Sequence, residues 1–213
     1  MVHLVCLDRD GTINRDENYF LGSSERWREQ VEILPGVVEG IRRLNEIRSY
    51  MCLLSAIRQE GVALSDGQFS SLTEERVVEV NEHIVSLLSA QGACVEGCVF
   101  CSFVVNQYVE KSRKRGLSVN LKYVVREHRD LKPNIGMIER ACALIDRRIE
   151  ECDVYFIGDR KSDVETGLNA GGVGILSASL KTYELGNVEK VKVMEEYGKR
   201  AFVLTDFQIR LIK

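Results

Sequence analysis

Residues 5–12 read VCLDRDGT, an apolar run that ends in two aspartates, Asp8 and Asp10, and then breaks at Gly11 and Thr12. Asp and Gly are good turn formers, so a solvated turn is one reading of this stretch taken alone. A second acidic pair weighs against it. Residues 156–163 read FIGDRKSD, which puts Asp159 and Asp163 just past another apolar run, one in a loop and one opening a helix. Carboxylates that converge at one sheet edge repel each other strongly unless a cation sits among them. A hard, oxygen-preferring ion such as Mg²⁺ suits that set and still leaves room for water and a phosphate group.

The elements that must position these acids follow from the pattern. Residues 2–7 are a run of β-branched and aliphatic residues and predict a strand. Pro35 and Gly36 open a helix through Val37, Ile41, Leu44 and Ile47 at helical spacing. Residues 51–55 predict the next strand, and Ser71 with Glu74 forms a capping-box pattern before a helix carrying Val77, Val80, Ile84, Leu87 and Leu88, which Gly92 ends. Strands are then expected at 98–105, 153–158, 172–176 and 201–205, and helices at 134–149 and 163–170, with a charged helix-like stretch at 180–199. Alternating strands and helices with uninterrupted apolar strands imply a parallel sheet covered on both faces. The irregular stretches 15–34, 56–70 and 106–130 all follow strands at their carboxyl ends, the edge where open α/β sheets build their sites.

Length and composition set limits. The 213 residues suit a single domain over 1–213, and 45% hydrophobic with 29% charged residues is a globular balance. No apolar run approaches the roughly 20 residues of a membrane span, and the amino terminus lacks the layout of a signal peptide, so no membrane association and a cytoplasmic location are expected. Seven cysteines, an odd number spread through strand and helix segments, read as small hydrophobes in a reducing compartment. The net charge of −3 argues against a general nucleic-acid coat, but residues 110–132 hold eight Lys or Arg against three acids. That run reads either as a solvated loop or as a segment that draws in an anion.

With these residues in place, the sequence resembles the haloacid dehalogenase (HAD) superfamily of aspartyl-phosphate phosphotransferases over nearly the whole chain. The resemblance rests on LDRDGT, on Lys132 in LKPNIGM and on GDRKSDVETGLNAGG. The longer matches LDRDGTIN, LPGVVEGIRRL and KPNIGMIERA are similar to the group that holds the histidinol phosphatases and the heptose bisphosphate phosphatases. The resemblance implies a three-layer α/β/α sandwich around a Rossmann-like parallel sheet with a minimal cap. It implies that Asp8 is the nucleophile, that Asp10 protonates the leaving alcohol and later deprotonates water, and that Lys132 neutralises the phosphoryl oxygens. It further implies Mg²⁺ held by Asp8, the Asp10 carbonyl and Asp159, with Asp163 as a further or outer ligand, and Gly11 and Thr12 shaping the turn and supplying backbone donors.

Three stretches depart from the family pattern. The second motif, a Ser or Thr at the end of the second strand, falls on Ser55 in one register and on Ile57 in another; Ser55 keeps the substrate-binding chemistry. Leu131 stands where the heptose phosphatases carry Arg before the lysine. Their zinc loop falls on Cys101, Phe103, His128 and Asp130, so one ligand is missing, and residues 106–130 form a basic insertion in its place, which weighs against zinc at Cys101, His128 and Asp130. Trp27 and Tyr19 either line a pocket above the site or pack their loop down. The expected function is Mg²⁺-dependent hydrolysis of a small phosphorylated metabolite, such as a sugar phosphate or a histidinol-phosphate-like ester, by a monomer or small homo-oligomer. The competing expectations are a polynucleotide 3′-phosphatase-like activity and a catalytically weak relative that binds a phosphorylated ligand or partner.

Overall fold

The structure, a computed structural model, describes residues 2–15, 21–47, 50–56, 64–69, 71–177, 196–198 and 201–204. Its centre is β1 (Val2–Asp8), which pairs in parallel with β2 (Tyr50–Ala56) on one side and β6 (Cys152–Gly158) on the other. With β3 (Gly97–Phe100), β7 (Val173–Ser177) and β8 (Ala201–Leu204), these form a six-stranded parallel sheet in the order β3-β2-β1-β6-β7-β8. The order reverses direction between β1 and β6. In open α/β sheets, the crevice beyond the strand ends at such a reversal is where ligands bind. Asp8 ends β1 and Asp159 follows β6, so both lie at this point.

Successive β1 residues face opposite layers, as a period of two requires. Val5 and Leu7 pack with Val37, Ile41 and Leu44 of α1 (Val37–Asn45) and with Val80, Ile84 and Leu88 of α2 (Glu74–Ser89). Leu4 and Cys6 pack with Met137, Ile138, Ala141 and Cys142 of α4 (Gly136–Leu144), and Val164 of α5 (Lys161–Asn169) packs on Leu176 and Ala201. Each fully buried aliphatic side chain contributes about 1.5–3 kcal/mol relative to exposure, so the two helical layers hold the central strands rigid. This is the expected three-layer α/β/α arrangement.

Several boundaries differ from expectation, and the helix expected over 134–149 spans only Gly136–Leu144. The run at 98–105 is two strands: β3 stops at Phe100, and β4 (Val104–Val105) pairs in parallel with β5 (Val124–Val125) in a separate two-stranded sheet. Within the described residues β3 has one sheet neighbour, β2, so the chain can leave the main sheet after Phe100. The 106–130 stretch, read as irregular, contains α3 (Asn106–Lys114) and β5, with Val109 and Ser112 buried along the helix. The N-cap of α2 is Thr73, whose side chain accepts from the Arg76 N–H at 3.2 Å, while the Ser71 hydroxyl donates to the Ser23 carbonyl instead. Trp27 is fully buried, edge-on to His83, and packs its loop down rather than lining a pocket. Tyr19, Ile57 and most of 180–199 lie outside the described residues.

Candidate active site

Asp8 leaves β1 straight into a tight turn. The Arg9 carbonyl accepts from the N–H groups of Thr12, Ile13 and Asn14 at 3.3, 2.8 and 3.1 Å, and the Gly11 N–H donates to the Asn14 carbonyl at 2.8 Å. Gly11 has φ +87°, and a Cβ there would lie 2.5 Å from Asp159 Oδ2. Glycine is therefore required twice over, by the left-handed backbone and by the carboxylate against it. At the end of β6, Gly158 leaves room for Asp163 by close approach alone, since the Asp163 Cγ would lie 2.3 Å from an added Cβ. We expect Gly11→Ala to displace Asp159 and weaken divalent-cation affinity by about 10–100-fold, the range for disturbed ligand support, with cation titration as the measurement.

Lys132 comes from the loop before α4. Its ammonium donates to Asp8 Oδ1 at 2.6 Å and to Asp163 Oδ1, lies 4.8 Å from the centre of the Phe156 ring, and belongs to a side chain only 5% exposed. The loop is braced on both flanks: Arg140 Nη1 donates to the Phe100 carbonyl at 3.0 Å and to Asp130 Oδ2 at 2.8 Å, and Arg129 pairs with Glu139. Asp163 Oδ2 accepts the Arg160 N–H at 2.9 Å, which fixes that carboxylate at the start of α5.

One oxygen from each of Asp8, Asp159 and Asp163 lies within 4.8 Å of the others. Burial pushes the Asp8 carboxyl well above its ordinary value; the Lys132 cation pulls it back, and Asp163 and Asp159 push it up again. Burial favours neutral Lys132, but Asp163 and Asp8 outweigh it and hold the ammonium above its usual value. Lys132 and the half-exposed Arg160, whose Nε lies 3.7 Å from Asp159 Oδ1, are two cations against three carboxylates, so negative charge remains in excess. A divalent cation with hard oxygen preferences supplies the missing charge, so the donor set fits Mg²⁺.

The remaining candidates are placed as follows. Ser55 lies opposite Asp8 in the β1–β2 pairing, level with it at the carboxyl edge. The Asp10 carboxylate is held by Arg9 and Asn14 and is not one of the three carboxylates of the cluster. Gly11 and Thr12 shape the turn and place their N–H groups in its hydrogen bonds, and the Thr12 side chain lines a small cavity of about 20 Å³ with Leu7, Val37 and Ile41. Among the described residues, Cys101, His128 and Asp130 do not form a metal-sized cluster. The His128 ring stacks on Phe103 and its Nδ1 accepts the Asp130 N–H at 3.1 Å, while Asp130 is tied to Arg140.

Comparison with known proteins gives the family. The HAD-hydrolase-like family model matches residues 131–191, the segment from Lys132 through the second acidic pair. A D-glycero-β-D-manno-heptose-1,7-bisphosphate 7-phosphatase of Rhodopseudomonas palustris is 33% identical over 165 residues, covering 78% of this chain and 77% of the relative. The chain belongs to the HAD superfamily. Its relatives are named phosphatases, and this HAD protein is one. The D-glycero-D-manno-heptose-1,7-bisphosphate 7-phosphatase of Thermosynechococcus vestitus is 29% identical over 177 residues, covering 81% of the phosphatase and 76% of the relative. The crystal structure of D,D-heptose 1,7-bisphosphate phosphatase from B. bronchiseptica, complexed with magnesium and phosphate, superposes with a TM-score of 0.67 at 19% identity, over 97% of the phosphatase and 94% of that chain. That likeness shows the fold.

Sequence reasoning assigned no part to Arg9, Asn14, Asn81 or Arg140. Asn81 had a signal: it sits four residues after Val77 and three before Ile84, on the buried stripe of α2, where a polar residue calls for a partner.

Proposed function

We propose that this HAD phosphatase is a Mg²⁺-dependent phosphomonoester hydrolase that acts through an aspartyl-phosphate on Asp8, in one catalytic domain over 1–213 with residues 106–130 as a basic insertion. The observation that carries the reading is the buried pairing of the Asp8 carboxylate with Lys132, beside Asp159 and Asp163. The Asp8 carboxylate attacks phosphorus as the bond to the alcohol oxygen breaks. Asp10 gives that oxygen its proton, then takes a proton from the water that attacks the acyl phosphate and restores Asp8. Lys132 stays beside the nucleophile and balances charge on the phosphoryl group. Asp8, the Asp10 carbonyl, Asp159 and Asp163 would hold Mg²⁺, which when bound adds positive charge where the phosphoryl oxygens lie. Ser55, level with Asp8, would contribute to phosphate binding.

For the substrate we propose a phosphorylated sugar, with heptose 1,7-bisphosphate first, because curated relatives at 29% and 33% identity are named for it. Phosphate release from heptose 1,7-bisphosphate, other sugar phosphates, histidinol phosphate and a 3′-phosphorylated oligonucleotide tests this. The heptose ester is expected to give the highest kcat/KM, with activity lost in EDTA and restored by Mg²⁺. A preference for the oligonucleotide, with steep salt dependence, would move the assignment to polynucleotide ends and give the exposed Arg113, Lys114 and Arg115 a role. Release from none of them by a folded, Mg²⁺-loaded protein would contradict the hydrolase reading.

A further inference from the structure

The acid–base aspartate is gripped from a helix that no motif marks. Arg9 is 3% exposed, and its guanidinium donates from Nε to Asp10 Oδ1 at 3.1 Å and from Nη2 to Asp10 Oδ2 at 2.7 Å. Its Nη1 donates in the opposite direction, to Asn81 Oδ1 on α2, at 2.8 Å. Asn14 Nδ2 adds a bond to Asp10 Oδ1 at 3.0 Å, with a second from the same nitrogen to the Arg15 carbonyl. All four side chains are buried.

Two features make this more than a way of tying a loop to a helix. First, the guanidinium is a planar fork, so two bonds to one carboxylate fix its plane and not merely its position. Second, the acceptor positions of Asp10 are nearly all used. A carboxylate offers about four lone-pair sites. Oδ1 takes Arg9 Nε and Asn14 Nδ2, and Oδ2 takes Arg9 Nη2, which leaves one site on Oδ2. Asn81 is orientated by the same logic, since its oxygen and not its amide nitrogen must face the cation.

We infer that Asn81, acting through Arg9, is a positioning residue for Asp10: α2 holds the guanidinium, the guanidinium holds the carboxylate plane, and one lone pair of Oδ2 remains to exchange a proton with the alcohol oxygen. The inference rests on the proposed role of Asp10 as acid and base. It makes α2, otherwise a packing helix, part of the apparatus that decides which esters are cleaved. Esters whose alcohol must be protonated to leave depend on the alignment of Asp10; esters whose leaving group departs as a stable anion do not.

The test is leaving-group dependence. The ratio kcat/KM, which reports the steps up to alcohol release, is measured on an alkyl phosphate such as glycerol phosphate and on p-nitrophenyl phosphate. The proteins are Mg²⁺-loaded wild type, Asp8→Asn, Asp10→Asn, Asn81→Ala, Asn81→Asp and Arg9→Lys. Asn81→Ala is expected to lower kcat/KM for the alkyl ester by about tenfold or more and for the nitrophenyl ester by less than about threefold, a smaller copy of the Asp10→Asn pattern. Asn81→Asp, which returns an acceptor to Arg9 Nη1, is expected to bring the alkyl ester back to within about threefold of wild type. Should Asn81→Ala not fold, Arg9→Lys, which keeps the charge but loses the fork, must show the same selective loss. Equal losses on both esters, or no loss on either, overturn the positioning role while leaving the aspartyl-phosphate reading intact if Asp8→Asn is inactive. An active Asp8→Asn overturns both.

Discussion

Asp8→Asn is expected to cut phosphate release by at least about 10³-fold at saturating Mg²⁺ and substrate while leaving the protein folded. An amide is nearly the same shape as a carboxylate and still accepts from the Lys132 ammonium, but it is no nucleophile toward phosphorus. The same substitution has an opposite effect on stability. Burial, together with Asp163 and Asp159, raises the folded-state Asp8 carboxyl above its ordinary value, so the folded state binds a proton that the unfolded state gives up. That contribution is present below the unfolded value and is lost as pH rises through the folded one. In metal-free protein, Asp8→Asn should therefore lose less stability than wild type between acid and neutral pH, with a Tm at neutral pH equal to or above that of wild type. Thermal unfolding in EDTA at several pH values measures this, and a clear drop in Tm for Asp8→Asn at neutral pH would show that the carboxylate stabilises the fold.

Lys132→Met should damage both catalysis and stability. The ammonium sits between Asp8 and Asp163 in a side chain 5% exposed, and nothing else in the described cluster supplies a cation to both. Removing one partner of a buried pair leaves uncompensated charge and costs on the order of 3–5 kcal/mol. We expect a loss of that size in metal-free protein, seen in denaturant unfolding. Divalent cation should restore part of it, because the ion brings positive charge to the same carboxylates. Turnover should remain about 10²–10³-fold down even with the cation present, since the transferring phosphoryl group has lost a fixed donor. Near-wild-type turnover with Met at 132 would remove Lys132 from the proposed chemistry.

The parts of this architecture that were legible share a physical cause. Asp8 and Asp159 stand out together: either alone reads as an ordinary turn, but parallel strands deliver their carboxyl ends to one edge, where two acidic pairs must meet. Lys132 was legible only as one part of a set, since a lysine before proline is ordinarily solvated. What the sequence hid depends on tertiary pairing. The break of the strand run after Phe100 is set by pairing with β5, some twenty residues on, and no local pattern encodes it. Thr73 rather than Ser71 caps α2, although both are good caps, because the chain at Ser71 bonds to Ser23 from another segment. Arg9 lies between the two aspartates in plain view, yet its partner Asn81 is on a helix 72 residues away.

In the proposed mechanism phosphate passes through the enzyme covalently. The stereochemical course at phosphorus tests this most directly, because it does not depend on which step is slow. An ester with an isotopically chiral phosphate group, hydrolysed by the Mg²⁺-loaded enzyme in the presence of a small alcohol acceptor, should give product of retained configuration, the result of two successive in-line displacements. Inversion, the outcome of a single in-line attack, would contradict a phosphorylated Asp8.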